Sequence, residues 1–89
     1  MKIHKDYIEH YRGKSKLLAD NIGNLRYDAL SDLIEKITNK LYEDGLADKK
    51  RRRVKLASTL FNASKLINEG KVEIEESWRI SKPFISDYE

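Results

Sequence analysis

The fold is decided by the stretch from Asn24 to Gly70, which reads NLRYDALSDLIEKITNKLYEDGLADKKRRRVKLASTLFNASKLINEG. Its apolar residues recur every three or four positions, the period of an amphipathic helix. Gly45 divides the stretch, and glycine commonly ends a helix by adopting the left-handed conformation. With Asp48 as the N-cap of the second segment, the pattern predicts two long helices, about 25–44 and 49–70, paired antiparallel across a tight turn at Gly45.

Each of these two helices has one apolar side that would be buried in the hairpin. In the first helix the stripe consists of Tyr27, Leu30, Leu33, Ile34, Ile37 and Leu41. In the second it consists of Val54, Ala57, Leu60, Phe61, Ser64 and Ile67. Ser31 falls on the polar side of the first helix, and Leu66 lies off the second stripe. Leu56 and Ala63 widen the second stripe on one side.

The flanking segments are also interpreted as helical. Apolar spacing predicts a first helix at about 3–21, interrupted at Gly13, and Asn24 is the expected N-cap of the helix that follows. Residues 72–75 alternate like a strand, but a lone strand has no partner in this chain. A short helix at about 72–81 is therefore preferred, ending before Lys82–Pro83 because proline disfavours a helical residue in front of it.

The resulting fold class is all-α: a small helical bundle with an antiparallel hairpin of two long helices, an N-terminal helix and a short C-terminal helix. Eighty-nine residues correspond to a single domain, 1–89, with 82–89 expected to fray. Hydrophobic residues make up 39% and charged residues 37% of the chain. A chain this short and this charged builds a thin core, which a second copy or a partner could complete.

Composition also narrows the location and the chemistry. The chain has no cysteine, which excludes disulfides and thiolate metal sites. The first residues lack the apolar segment of a signal peptide, and no apolar run approaches the roughly 20 residues that span a bilayer. The sequence therefore predicts a cytoplasmic protein with no membrane partner.

A basic run, 49–55, follows the predicted turn. Positions 43–55 carry a net charge of +3, which equals the net charge of the whole chain. One interpretation is a solvated charge cluster around a helical turn. The other is a surface for nucleic-acid phosphates, acidic lipid or an acidic protein. The candidate anion-binding or nucleic-acid-binding residues are Lys49, Lys50, Arg51, Arg52 and Lys55.

No aromatic residue interleaves with this run, so the sequence gives no indication of base stacking there. Sequence-specific DNA recognition is not expected either, because the helix that would read the bases becomes apolar by Val54.

An acidic cluster lies near the other end of the predicted hairpin, roughly 30 Å from the basic run at 1.5 Å per helical residue. It consists of Glu69, Glu73, Glu75 and Glu76. Two antiparallel copies could match opposite poles, which is the self-complementary contact that a two-fold dimer requires. Trp78 and Phe84 either pack on the chain's own bundle or anchor a partner, since tryptophan is frequent at interface hot spots.

No pattern in the chain indicates catalysis. His10 and Asp6 are one helical turn apart, but a metal site needs at least a third ligand. The four glycines form no phosphate-binding loop. The sequence therefore predicts no metal, cofactor or enzyme activity. It favours a non-enzymatic protein–protein interaction or regulatory accessory module, self-associating as a homodimer; a non-specific nucleic-acid-binding protein is the alternative.

Overall fold

The computed structural model describes residues 4–83. In this range the chain forms three helices, α1 (Ser15–Gly23), α2 (Tyr27–Lys50) and α3 (Val54–Ser81), and no strand. Helices α2 and α3 pack against each other along their lengths as an antiparallel hairpin. The all-α class and the hairpin predicted from the periodicity are therefore confirmed.

The position of the hairpin turn was predicted wrongly. Helix α2 continues through Gly45 to Lys50, and the connection is made by residues 51–53, with Arg52 at a φ of 63°. Asp48 is not an N-cap but lies buried in the last turn of α2. Its backbone oxygen accepts a 2.8 Å hydrogen bond from the Arg53 amide, which helps close the turn.

Small residues at intervals of seven form the contact between α2 and α3. Ser31, Thr38 and Gly45 are buried on α2, and Ala57 and Ser64 are buried on α3. A seven-residue repeat keeps one seam of a helix facing its partner. The hydroxyl of Ser64 donates to the backbone oxygen of Thr38 at 3.1 Å. The expectation that Ser31 is on a polar, solvent-facing side is therefore wrong.

Gly45 serves this close approach and does not end a helix. A Cβ at Gly45 would lie 2.6 Å from Cε1 of Phe61, far inside van der Waals contact. The Phe61 ring thus fills the space that any larger residue at position 45 would need. Glycine is required here by packing between helices, which a reading of local turn signals does not reveal.

The larger apolar residues flank this seam and are only half-buried. Leu41, Leu60 and Ile67 are intermediate in exposure, while Ile37 and Val54 of the predicted buried stripes are exposed, at 47% and 67%. Leu66, which lies off the stripe, is exposed. Among the described residues Ala57 is the only hydrophobic residue that is fully buried. The thin core expected from composition is present.

Helix α3 does not end at Gly70 but runs on to Ser81, so the predicted separate C-terminal helix is its continuation. It ends next to Lys82–Pro83, where proline was expected to stop it. The second half of α3 packs on the first half of α2, and the Ser31 hydroxyl donates to a Glu75 carboxylate oxygen at 3.2 Å. This packing of α3 on α2 explains why Gly70 does not interrupt the helix.

The N-terminal helix is shorter than predicted. It covers Ser15–Gly23 instead of about 3–21. His10 has a φ of 66°, outside the helical region, and the Tyr11 hydroxyl donates to the backbone oxygen of Lys14 at 3.2 Å. Asn24 caps the C-terminus of α1, and Arg26, not Asn24, precedes α2.

Candidate interaction surfaces

The chain is flat and expanded for its length. Its Cα atoms span 50 × 31 × 14 Å with a radius of gyration of 15.9 Å. A compact domain of this length has a radius of gyration of about 12 Å. The accessible surface is 7589 Å², whereas a compact monomer of this mass exposes about 5400 Å². The chain as a whole therefore leaves much surface uncovered.

One face of the hairpin, the aliphatic face, carries Ile34, Ile37, Leu41, Leu56, Leu60 and Ile67. Each of four of them stands three positions after a buried small residue of the seam: Ile34, Leu41, Leu60 and Ile67. Because α2 and α3 run antiparallel, such positions on the two helices lie on the same face. The N-terminal segment passes on this side of the molecule. His4 lines the same surface cavity as Asp44 and Leu56.

The opposite face, the aromatic face, carries Tyr42, Leu46, Val54 and Phe61. Tyr42 and Phe61 stand four positions after Thr38 and Ala57 and therefore project to the other side of the seam. Their ring centroids are 5.1 Å apart at an interplanar angle of 45°. Tyr42, Leu46 and Val54 are 50%, 48% and 67% exposed. Three large apolar groups thus lie uncovered beside the hairpin turn.

The predicted anion-binding residues come together at the turn and form a basic tip, defined by Lys49, Lys50, Arg51, Arg52 and Lys55. All five are exposed, and none has an ion pair among residues 4–83. Lys49 and Lys50 are in the last turn of α2, where the helix macrodipole favours cations. Of the five, only Lys55 is in the first turn of a helix, where the macrodipole disfavours a cation.

The acidic cluster lies on the outer half of α3, at the end of the hairpin away from the turn. Glu69 and Glu73 are exposed and have no ion pair within the described range. Glu75 accepts from Lys71 at 3.0 Å and from Ser31, and these hydrogen bonds lower its pKa. Glu76 pairs with Arg79, which lowers the pKa of Glu76. Two of the four carboxylates, Glu75 and Glu76, are thus engaged by side chains of the same chain.

Trp78, one of the two predicted partner anchors, is half-buried near the start of α2. The Arg26 guanidinium lies 5.2 Å from the centroid of its ring, and the Lys82 amine lies 6.0 Å from it. Arg26 also holds Asp28 at 2.7 Å, which lowers the pKa of that carboxyl. These contacts tie Trp78 to its own chain. Phe84, the other anchor, lies outside the described residues.

Within residues 4–83 no three His, Asp or Glu side chains come together in a way that could hold a metal ion. None of the helices in that range is both long enough and apolar enough to cross a membrane.

The sequence did not assign the aromatic face, because Tyr42 and Leu46 stand off the apolar stripe. A signal was present in the heptad spacing of Ser31, Thr38 and Gly45. Taken as the contact seam, that spacing places Tyr42 and Leu46 beside it.

Comparison with known proteins adds no further assignment: no protein-family model, curated protein or solved structure shows a significant match to this chain.

Proposed function

We propose that this chain is a non-enzymatic protein–protein interaction module that self-associates as a homodimer. The observation that carries the proposal is that the chain exposes more surface than a compact monomer of the same mass. The chain exposes 7589 Å², about 2200 Å² more than a compact monomer of its mass. A standard interface buries about 800 Å² on each partner, so one interface is well within this excess.

The distribution of apolar groups supports the same conclusion. Ile37 and Leu56 on the aliphatic face, and Tyr42, Leu46 and Val54 on the aromatic face, are each at least 47% exposed. Paired helices become stable when a further layer of helix covers their apolar sides, as in four-helix bundles. A second hairpin supplies such a layer without any other component.

The test is the solution mass from light scattering across protein concentrations of about 1 to 200 μM, a range that brackets micromolar affinity. We expect the mass to rise to twice that of one chain, with a thermal midpoint that increases with concentration because association stabilises the folded state. A mass of one chain over the whole range, with a midpoint independent of concentration, would contradict the proposal.

Nucleic-acid binding is the second candidate, and the observation that favours it is the basic tip, whose five cations have no ion pair within residues 4–83. Binding to phosphates would be sequence-independent and would weaken steeply with salt. The Tyr42 ring adds an exposed aromatic surface on the same end of the hairpin, where no base stacking was expected from the sequence.

A pair of matched charge reversals separates the two candidates. Arg51→Glu with Arg52→Glu should abolish binding to a mixed oligonucleotide pool and reduce the salt slope if the tip binds phosphates. Arg12→Glu with Lys14→Glu makes the same change of charge in the exposed N-terminal segment and serves as the control. Equal oligonucleotide binding by both variants would remove the nucleic-acid candidate.

A further inference from the structure

The two ends of the aromatic face, together with the residues that border them, carry opposite charges. The end next to the turn combines Leu46 and Val54 with the basic tip, whose five cations are unpaired within the described residues. The other end carries a second exposed apolar group, Val72, which is 52% exposed. Val72 stands 18 residues after Val54, which is five full helical turns, so both side chains project from the same side of α3.

Carboxylates surround Val72 as cations surround Val54. Glu69 precedes Val72 by three residues and Glu76 follows it by four, which places both about one turn away. Glu73 is adjacent in sequence and is exposed without an ion pair in the described range. Glu76 is paired with Arg79, so this end of the face is an apolar group bordered by carboxylates of which Glu69 and Glu73 have no ion pair in the described range.

These two complementary ends cannot meet within one chain. They lie on one continuous helix, and 18 residues at 1.5 Å each separate Val54 from Val72 by about 27 Å. Their complementarity can be satisfied only between molecules. Because both ends are on the same chain, two copies satisfy it reciprocally, which is the requirement of a two-fold contact.

We propose that the aromatic face is the self-association surface and that the second copy docks on it antiparallel; this inference rests on the function proposed above. Val54 of each copy lies against Val72 of the other, and each basic tip lies over Glu73 and Glu76 of the other. The midpoint between Val54 and Val72 is position 63, beside Phe61. The two Tyr42–Phe61 ring pairs therefore meet near the two-fold axis, at the centre of the interface where aromatic anchors contribute most.

The aliphatic face fits a second copy less well. Its end near the turn is shared with the N-terminal segment, since His4 lines a cavity there with Leu56. That cavity is lined by side chains of both charges, among them Asp44, Asp48 and Arg51, so this end of the aliphatic face has no single sign. The aromatic face offers both apolar area and a charge pattern that distinguishes an antiparallel from a parallel arrangement.

The test is a charge exchange between two variants. One variant carries Arg51→Glu with Arg52→Glu, and the other carries Glu73→Lys with Glu76→Lys. In a homodimer of either variant, the reversed side chains face like charges at both of the two equivalent contacts. Each variant should therefore weaken self-association at least about tenfold. Mixed in equal amounts they should form a heterodimer within about threefold of wild-type affinity, because the side chains reversed in one variant then face the side chains of opposite sign in the other. Circular dichroism of each variant checks that helix content is retained.

A second pair of variants identifies the face. Leu46→Ser and Ile37→Ser remove groups of equal exposure, 48% and 47%, from the aromatic and aliphatic faces. We expect only Leu46→Ser to raise the dissociation constant strongly. Loss of the dimer through Ile37→Ser, with no effect of the charge exchange, would overturn this interface and leave self-association standing.

Salt and oligonucleotides provide the remaining outcomes. A dissociation constant that does not change between low and high salt would contradict the charge pairing. A wild-type monomer at all concentrations would overturn the proposed function together with this inference. If acidic vesicles or oligonucleotides bind the tip while the charge-exchange variants dimerise normally, the basic tip serves a polyanion and the pairing proposed here is wrong.

Discussion

The two ends of the hairpin are held together by different means. At the end next to the turn, Gly45 lets the Phe61 ring approach α2 closely, and the five cations of the basic tip have no ion pairs within residues 4–83. At the open end, Lys71 pairs with Glu75 and Glu35, linking α3 to α2. Steric fit leaves the charges of the first end available to a partner, whereas the open end uses much of its charge to support the fold.

The largest expected effect comes from the two glycines inside the long helices. Gly45→Ala should destabilise the hairpin, because overpacking costs about 1–3 kcal/mol and exceeds the gain of about 1 kcal/mol in helix propensity. Gly70 has nothing within 4 Å of the position of an added Cβ. Gly70→Ala should therefore stabilise by up to about 1 kcal/mol. Urea unfolding of both variants measures the difference.

The Phe61 ring offers a control for this pair. In a Phe61→Leu background the obstacle above Gly45 is smaller, so Gly45→Ala should lose much of its penalty. Equal stabilisation by Gly45→Ala and Gly70→Ala in the wild-type background would show that close packing at the turn end does not limit the hairpin.

These glycines also show what local sequence reasoning can reach. Periodicity identified the helical hairpin because amphipathic spacing depends only on the chain itself. The turn was misplaced because Gly45 and Gly70 resemble helix-ending signals, and only the position of the opposite helix distinguishes packing from termination. Tertiary contacts override such weak local preferences.

The candidate surfaces divide in the same way. The basic residues were recognised from the sequence because the charge of a side chain follows from its residue type, whatever it contacts in the fold. The aromatic face was not, since Tyr42 and Phe61 are 19 positions apart and meet only when α2 and α3 pair along the seam of Ser31, Thr38 and Gly45. Reassigning the turn by about six residues also moved Lys49 and Lys50 from the start of one helix to the end of another.

A smaller effect tests that reassignment at the turn. Lys50 is the last residue of α2 and Lys55 is the second residue of α3. Lys50→Gln should destabilise by about 0.3–1 kcal/mol and Lys55→Gln should stabilise by a similar amount, because helix dipoles favour cations at C-termini and disfavour them at N-termini. Both changes remove one charge from the same tip, so relief of repulsion cancels in the comparison. In thermal melts at low salt the midpoint of Lys55→Gln should lie above that of Lys50→Gln, and the reverse order would place the turn elsewhere.

The smallest effect concerns the open end and depends on pH. Hydrogen bonds from Lys71 and Ser31 hold the pKa of Glu75 below its ordinary value of 4.5 in the folded chain. A carboxylate with a lowered folded-state pKa stabilises the fold above its unfolded pKa, and this stabilisation is lost as the pH falls through the folded value. The thermal midpoint of the wild type should thus exceed that of Glu75→Gln near pH 6, and the gap should close towards pH 3.

Glu73→Gln on the same helix removes a carboxylate without an ion pair in the described range and should show a much smaller change of gap. A gap for Glu75→Gln that stays constant from pH 6 to pH 3 would mean that this contact between α3 and α2 does not support the open end.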